Sequence, residues 1–258
     1  MTLSITPIPA FRDNYIWLLR RPSVNATSAI VIDPGAAEPV LEALQHQGLS
    51  LAAILITHHH ADHCDGIADL LAVHEVPVFT PAAQSITGMS QPLVGGERIS
   101  IDALAIDFEV WAVPGHTLSH LAYVVPGALF CGDTLFGAGC GRLFEGSPAQ
   151  MLASLQRMAA LPENTAIYSA HEYTEANLRF ALAVEPNNPA LQQRITDTAK
   201  LRSTDQPSVP SLLSLEKATN PFLRYREPEV IASALAHGAS SAEPLAVFTA
   251  LREWKNSF

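Results

Sequence analysis

The apolar run Leu51-Ala52-Ala53-Ile54-Leu55-Ile56 stops at Thr57-His58-His59-His60-Ala61-Asp62-His63-Cys64-Asp65-Gly66. No other feature constrains the fold as strongly. A short apolar run ending at ligand-type side chains reads as a buried strand that delivers them to a sheet edge. In α/β proteins, sites form beyond the carboxyl ends of strands. The His-x-His-x-Asp-His spacing suits metal binding. His58 and His60 are two apart, so in extended chain they point the same way. Asp62 and His63 follow after a turn and can face a second position, so one segment can serve two metal ions.

At 258 residues the chain has room for one large domain, or for a domain plus an appendage. A hydrophobic content of 48% with 16% charged residues describes a globular chain with a sizeable core. The formal charge is −10, and Lys200, Lys217 and Lys255 are the only lysines. That balance argues against a broad nucleic-acid surface, though not against a local basic pocket for an anionic small molecule. Cys64, Cys131 and Cys140 are odd in number and widely spaced, which makes neither a disulfide framework nor a Cys-x-x-Cys site. Free thiols fit a reducing cytosol. No signal-peptide pattern opens the chain, and no apolar run approaches the ~18 residues that span a bilayer. A soluble cytoplasmic protein is the expectation.

Strand signals dominate the first part. Residues 4–9, 15–19 and 29–32 are short apolar stretches separated by Arg12-Asp13-Asn14 and Pro34-Gly35. Residues 38–46 have helical spacing, and 67–74 read as a helix with Asp65 as its N-cap. Residues 76–79, 104–113, 121–125 and 128–131 read as extended, 150–161 as helix, and 166–168 as a buried strand. This alternation indicates a layered α/β architecture. After about residue 173 strand signals fade. Residues 175–184, 191–201, 228–236 and 244–255 read as helices separated by Pro and Asn. The expected division is 1–172 for an α/β domain and 173–258 for a helical one.

Three further strands end at a ligand type. Val113-Pro114-Gly115-His116-Thr117 presents His116, Phe130-Cys131-Gly132-Asp133-Thr134 presents Asp133, and Ser169-Ala170-His171-Glu172 presents His171. Gly115 and Gly132 would let backbone approach a crowded site. Singly, each is an ordinary surface His or turn Asp. Jointly, six of the ten histidines sit in these segments, each behind an apolar strand, and metal binding accounts for the set.

These residues resemble the pattern of the metallo-β-lactamase superfamily, and within it the binuclear hydrolases. The resemblance implies a four-layer αββα sandwich with a C-terminal all-α domain. It implies that His58, His60 and His116 hold one metal and Asp62, His63 and His171 the other, with Asp133 bridging. Nitrogen and oxygen donors without thiolate suit zinc first, and also iron or manganese. His59 should point away from His58 and His60. Further segments narrow the resemblance to the glyoxalase II (hydroxyacylglutathione hydrolase) family. They are Phe11-Arg12-Asp13-Asn14-Tyr15, Gly139-Cys140-Gly141-Arg142-Leu143-Phe144-Glu145-Gly146, Ala170-His171-Glu172-Tyr173-Thr174, Asn220-Pro221-Phe222-Leu223-Arg224 and Leu251-Arg252-Glu253-Trp254-Lys255. The similarity covers nearly the whole chain.

The family often has Lys and Tyr where this chain has Arg142 and Phe144. Arg142 keeps the cation, whereas Phe144 lacks a hydroxyl. Cys64 reads as a buried, inert thiol. By resemblance, Arg142, Tyr173, Arg252 and Lys255 line a glutathione site. Arg252 and Lys255 are three apart and share a helix face. A ground-state binding role would make Arg252→Ala raise KM more than it lowers kcat.

The implied reaction is hydrolysis of S-2-hydroxyacylglutathione, typically S-D-lactoylglutathione, to D-lactate and glutathione in methylglyoxal detoxification. A metal-activated water, with Asp62 and Asp133 beside it, attacks the thioester carbonyl, and a thiolate leaves without a strong general acid. Two divalent ions, a small-molecule partner, no nucleic acid, no membrane and a monomer complete the expectation. The alternative is a glutathione persulfide dioxygenase of the same superfamily, with one iron and O₂. An RNA phosphodiesterase on the same metal core fits the acidic charge poorly, and a non-catalytic module fits a complete ligand set poorly.

Overall fold

The computed structural model describes residues 3–83 and 85–258. The chain forms two compact units, Met1–Ala112 with Ser119–Gly132, and Val113–Leu118 with Asp133–Phe258.

The first unit contains β1 (Ser4–Ala10), β2 (Asn14–Arg21), β3 (Asn25–Ile32), α1 (Glu38–Gln47), β4 (Ser50–Leu55), α2 (Ala61–Cys64) and α3 (Ile67–Leu71). It continues with β5 (Val78–Pro81), β6 (Gln91–Leu93), β7 (Arg98–Ile101), β8 (Ile106–Ala112), β9 (Leu121–Val125) and β10 (Ala128–Gly132). Strands β1 to β6 form one sheet in sequence order. Short turns join β1, β2 and β3, so these pair antiparallel. From β3 to β6 the pairing is parallel, and α1 supplies the first crossover. Strands β7, β8, β9 and β10 pair antiparallel in turn.

β4 shows why a continuous apolar run marks the middle of such a unit. Ile54, Leu55 and Ile56 are fully buried, as a strand covered on both faces requires. Val40 and Leu44 of α1 pack with Val31, Ile54, Ile67 and Leu70. The fully buried Tyr123 of β9 donates its hydroxyl to Ile56 O at 2.7 Å, tying β9 to the end of β4. Burial pushes that phenol well above the usual tyrosine range.

The second unit contains β11 (Leu135–Phe136), β12 (Gly139–Cys140), α4 (Pro148–Ala159), β13 (Ala166–Ser169), α5 (Thr174–Val184) and α6 (Pro189–Arg202). β14 (Ser211–Leu212), α7 (Leu213–Thr219), α8 (Pro228–Ala236) and α9 (Pro244–Ser257) complete it. Two of its helices start at explicit caps. Ser147 and Gln150 form a capping box on α4, and Asn188 accepts from Ala190 N and Leu191 N at the start of α6. Pro occupies the first turn of α4, α6, α8 and α9, where its missing N–H costs nothing. Phe180, Phe222 and Phe248 are fully buried and pack on one another.

The strands and long helices expected from periodicity are present within a few residues. One cap differs. Asp65 closes the C-terminal end of α2, and the N-cap position of α3 is Gly66. That helix also stops at Leu71, short of residue 74. Residues 102–104 turn in a short 3-10 helix before β8, with Ala105 left-handed at φ 48°. Among the described residues no helix is long and apolar enough to cross a membrane.

Candidate metal centre

In the first unit, the chain leaving β4 brings His58, His60, Asp62 and His63 together. His58 Nε2 faces His60 Nδ1 at 3.0 Å, as two residues on one side of extended chain should. α2 then turns the backbone so that His63 Nε2 comes 3.5 Å from Asp62 Oδ2. Donor atoms of His58 and His63 lie within 4.8 Å of each other. Gly132 lets β10 approach: a Cβ there would lie 2.4 Å from Thr57 Oγ1. Its φ of 47° also favours glycine.

The ring orientations are set by neighbours. Asp33, 4% exposed, accepts from Thr57 N at 2.7 Å, from Thr57 Oγ1 at 2.7 Å and from His63 Nδ1 at 3.0 Å. Thr57 Oγ1 has spent its hydrogen on Asp33, so toward His58 Nδ1, 3.1 Å away, it accepts. Both rings, when neutral, therefore carry the lone pair on Nε2. Asn14 Nδ2 donates to Asp62 Oδ2 at 2.9 Å and fixes that carboxylate. His120 is fully buried and stacks on His58 with centroids 4.7 Å apart.

The second unit brings His116, Asp133 and His171 together. Asp133 lies between the imidazoles. Its Oδ2 is 3.4 Å from His116 Nε2, and its Oδ1 is 3.4 Å from His171 Nε2. His116 Nδ1 is 2.8 Å from Arg142 O, and a carbonyl only accepts, so Nδ1 carries the hydrogen and Nε2 the lone pair. Tyr173 stacks on His171 at 4.6 Å and 5°, fixing the plane of that ring.

In their neutral forms His63 and His116 turn a lone-pair nitrogen to a carboxylate oxygen, an acceptor facing an acceptor. A cation between the two atoms makes such pairs favourable, as does a second proton on the ring. Their separations of 3.4 to 3.5 Å exceed a good hydrogen bond. Neighbouring ligands on a tetrahedral metal with bonds of ~2.0–2.1 Å lie about 3.3–3.4 Å apart. The donor set and its spacing thus fit a divalent metal in each unit.

The other expected site residues lie in the second unit. Arg142 is exposed and sits 5.6 Å over the ring of Phe144, itself exposed and edge-on to His116. Lys255 is half-buried, its amine 5.1 Å over the Phe180 ring. Burial, and then the charges of Arg252 and Arg179, lower its pKa to about 8. Arg252 is 5% exposed and donates to the chain's own carbonyls. Cys64 is half-buried, and its thiol points at the carbonyls of His59 and His60. Burial and nearby Asp65, Asp33 and Asp62 push that thiol up to about 11, which keeps it protonated and inert.

Sequence reasoning misses Asp33 and His120, and it takes Asn14 only as a turn residue and as part of the Phe11–Tyr15 segment. Asp33 carries the same signal as the ligands, an acid at the end of an apolar strand, but Asp33-Pro34-Gly35 also reads as a turn.

Residues 10–171 match the metallo-beta-lactamase superfamily, and residues 172–258 match the hydroxyacylglutathione hydrolase C-terminus. A hydroxyacylglutathione hydrolase of Dechloromonas aromatica (strain RCB) is 57% identical over 99% of this chain and 100% of its own. One from Methylobacillus flagellatus is 51% identical over 98% and 99%. The solved B3 metallo-beta-lactamase BLEG-1 aligns at TM-score 0.62 and 22% identity, covering 86% of this chain and 99% of its own, a likeness of fold. Matched along its whole length in this way, the chain belongs to the hydroxyacylglutathione hydrolase family of the metallo-β-lactamase superfamily.

Proposed function

We propose that the chain hydrolyses S-2-hydroxyacylglutathione, S-D-lactoylglutathione in the first place, to a 2-hydroxy acid and glutathione, as a cytoplasmic step of methylglyoxal detoxification. The observation that carries the reading is Asp133, with one oxygen turned to His116 and the other to His171. A carboxylate presented this way suits two ions ~3.5–4 Å apart. In the proposed site His58, His60 and His116 hold one ion, Asp62, His63 and His171 hold the other, and Asp133 joins them. Zinc suits this donor set best, with iron or manganese also accepted.

Two divalent ions so held lower the pKa of water and polarise a carbonyl. The chain's own residues do the rest. Asp62, anchored by Asn14, orients the attacking water. Asp33, Thr57 and the Arg142 carbonyl hold the ligating imidazoles in one tautomer. Water loses a proton as its oxygen adds to the thioester carbon, the C–S bond breaks, and the sulfur leaves as thiolate and takes a proton from solvent. A thiol pKa of ~8.5 makes a strong general acid unnecessary.

The helical region from 173 onward is the proposed glutathione-binding domain, with Arg142, Tyr173, Arg252 and Lys255 at its site. Lys255 gives a pH test. Its amine is charged below about 8 and neutral above. KM for the thioester is therefore expected to be flat below pH 8 and to rise above it. Lys255→Arg, whose side chain stays charged, should abolish the rise. A wild-type KM that stays flat to pH 9.5 would remove Lys255 from carboxylate recognition.

The reading as a whole is tested by assaying S-D-lactoylglutathione hydrolysis alongside metal analysis. Hydrolysis with two metal ions per chain supports it. One iron per chain, with O₂ consumed on glutathione persulfide, would replace it with the dioxygenase. The match of residues 172–258 to the hydrolase C-terminus favours the thioesterase.

A further inference from the structure

Phe11, Arg12 and Asp13 join β1 to β2, with Ala10 paired to Asn14 across the turn. Asn14 ties this turn to a metal ligand of the first unit. Its Nδ2 donates to Asp62 Oδ2 at 2.9 Å and to Asp62 O at 3.4 Å. Asp62 is the open edge of that ligand group. His58 and His63 are buried, whereas the Asp62 side chain is 42% exposed.

Phe11 stands out in the turn. Its backbone is left-handed at φ 52°, a conformation that favours glycine and that a bulky residue rarely takes. It is also 63% exposed, so little packing offsets the strain. The ring edge lies beside Gly35. A Cβ on Gly35 would lie 2.9 Å from Phe11 Cε2 and 1.9 Å from Asp62 O. Only a residue without a side chain lets the ring and the backbone of that ligand stand so near each other. A strained backbone, an exposed aromatic ring and a ligand carboxylate thus meet at one place, all within the first unit. Strain of this kind gathers where a ligand is held.

We propose that Phe11 is the apolar wall of an acyl subsite, touching the acyl group of the thioester and setting which 2-hydroxy acids the chain releases. This rests on the thioesterase reading and deepens it. In that reading the thioester carbon comes to the water that Asp62 orients, so the acyl group on that carbon comes to the neighbours of Asp62. Phe11 offers it neither charge nor hydrogen bond, only the face and edge of a ring. A methyl or phenyl substituent on the acid gains contact there, and an acid with hydrogen in that place gains none. The carboxylates of glutathione gain nothing from such a surface.

The test compares the full chain as wild type, Phe11→Gly and Phe11→Leu on the glutathione thioesters of glycolic, D-lactic and D-mandelic acid. Zinc per chain and the melting temperature are read on the same preparations. Glycine suits the left-handed backbone and the lost ring is largely in solvent, so Phe11→Gly should fold and hold as much zinc as wild type. Its kcat/KM on the mandeloyl thioester, relative to that on the glycoloyl thioester, should fall about tenfold, the range of one aromatic contact. The lactoyl-to-glycoloyl ratio should fall roughly two- to fourfold, as for one methyl group. Phe11→Leu keeps an apolar surface without a ring, so its ratios should lie between, and it carries the same comparison if the glycine variant does not fold. Unchanged ratios, whatever the loss common to all three thioesters, would overturn the proposal. Loss of zinc together with an equal loss on all three would make Phe11 a support for Asp62 instead of a substrate contact. Wild-type protein that hydrolyses none of the three would sink the thioesterase reading, and the subsite with it.

Discussion

Asp133→Ala is expected to lose metal and activity together. Losing a partner one shell outside a metal already costs about 10–100-fold in affinity or turnover. A residue that would ligate both ions should cost more than the top of that range. Metal per chain and kcat/KM, measured on the same preparation, check this. The expected result is fewer than two ions and a loss beyond about a hundredfold in kcat/KM. Stability separates this from simple unfolding. Without metal, Asp133 is a carboxylate 6% exposed that lies 3.4 Å from both His116 Nε2 and His171 Nε2. A metal-free Asp133→Ala that still melts cooperatively is folded, so its loss of metal is the loss of the ligand. A variant with two ions and full turnover would end the bridging assignment.

Asp33→Ala should be costly for a different reason. Asp33 accepts from Thr57 N, Thr57 Oγ1 and His63 Nδ1, all buried. Truncation strands three donors at ~1–3 kcal/mol each, so the fold should lose roughly 3 kcal/mol or more. Ala also fits poorly at φ 55°. The functional effect travels through the tautomers. Without the carboxylate, His63 Nδ1 loses the acceptor 3.0 Å away, and the Thr57 hydroxyl loses the one 2.7 Å away. Metal affinity should fall about 10–100-fold. Urea denaturation and chelator competition read the two effects separately. Asp33→Asn keeps one accepting oxygen and tolerates the left-handed backbone, so it should lie between wild type and Ala. Unchanged metal affinity in both variants would show that Asp33 serves the fold alone.

Much of the α/β framework was legible because its strands obey a simple local rule. Residues 51–56 are apolar throughout because β4 is buried on both faces, and the chain turns polar where the strand ends. The same rule found His116, Asp133 and His171. It failed on elements too short to show a period, such as β11 and β12. It also failed at His120, which stands at the start of β9 rather than past a strand's end. Asp33 follows the rule too, but it sits against the Pro34-Gly35 turn, and an Asp before Pro-Gly fits a turn whatever its side chain touches. Arg252 enters as a substrate residue only by resemblance, since a cation near the end of the last helix is favoured there anyway. That its side chain is buried and donates to Cys140 O is visible only in the folded chain.

Which donor atoms the polypeptide can offer a metal, and at which strand ends, follows from residue type and from a pattern a few residues long. Which nitrogen of each ring faces the centre does not. That depends on partners such as Asp33 for His63, 30 positions away, and the Arg142 carbonyl for His116, 26 positions away. An imidazole has two near-equivalent nitrogens, and local chain geometry sets neither tautomer. The choice is made by a hydrogen bond that exists only once distant segments have packed together.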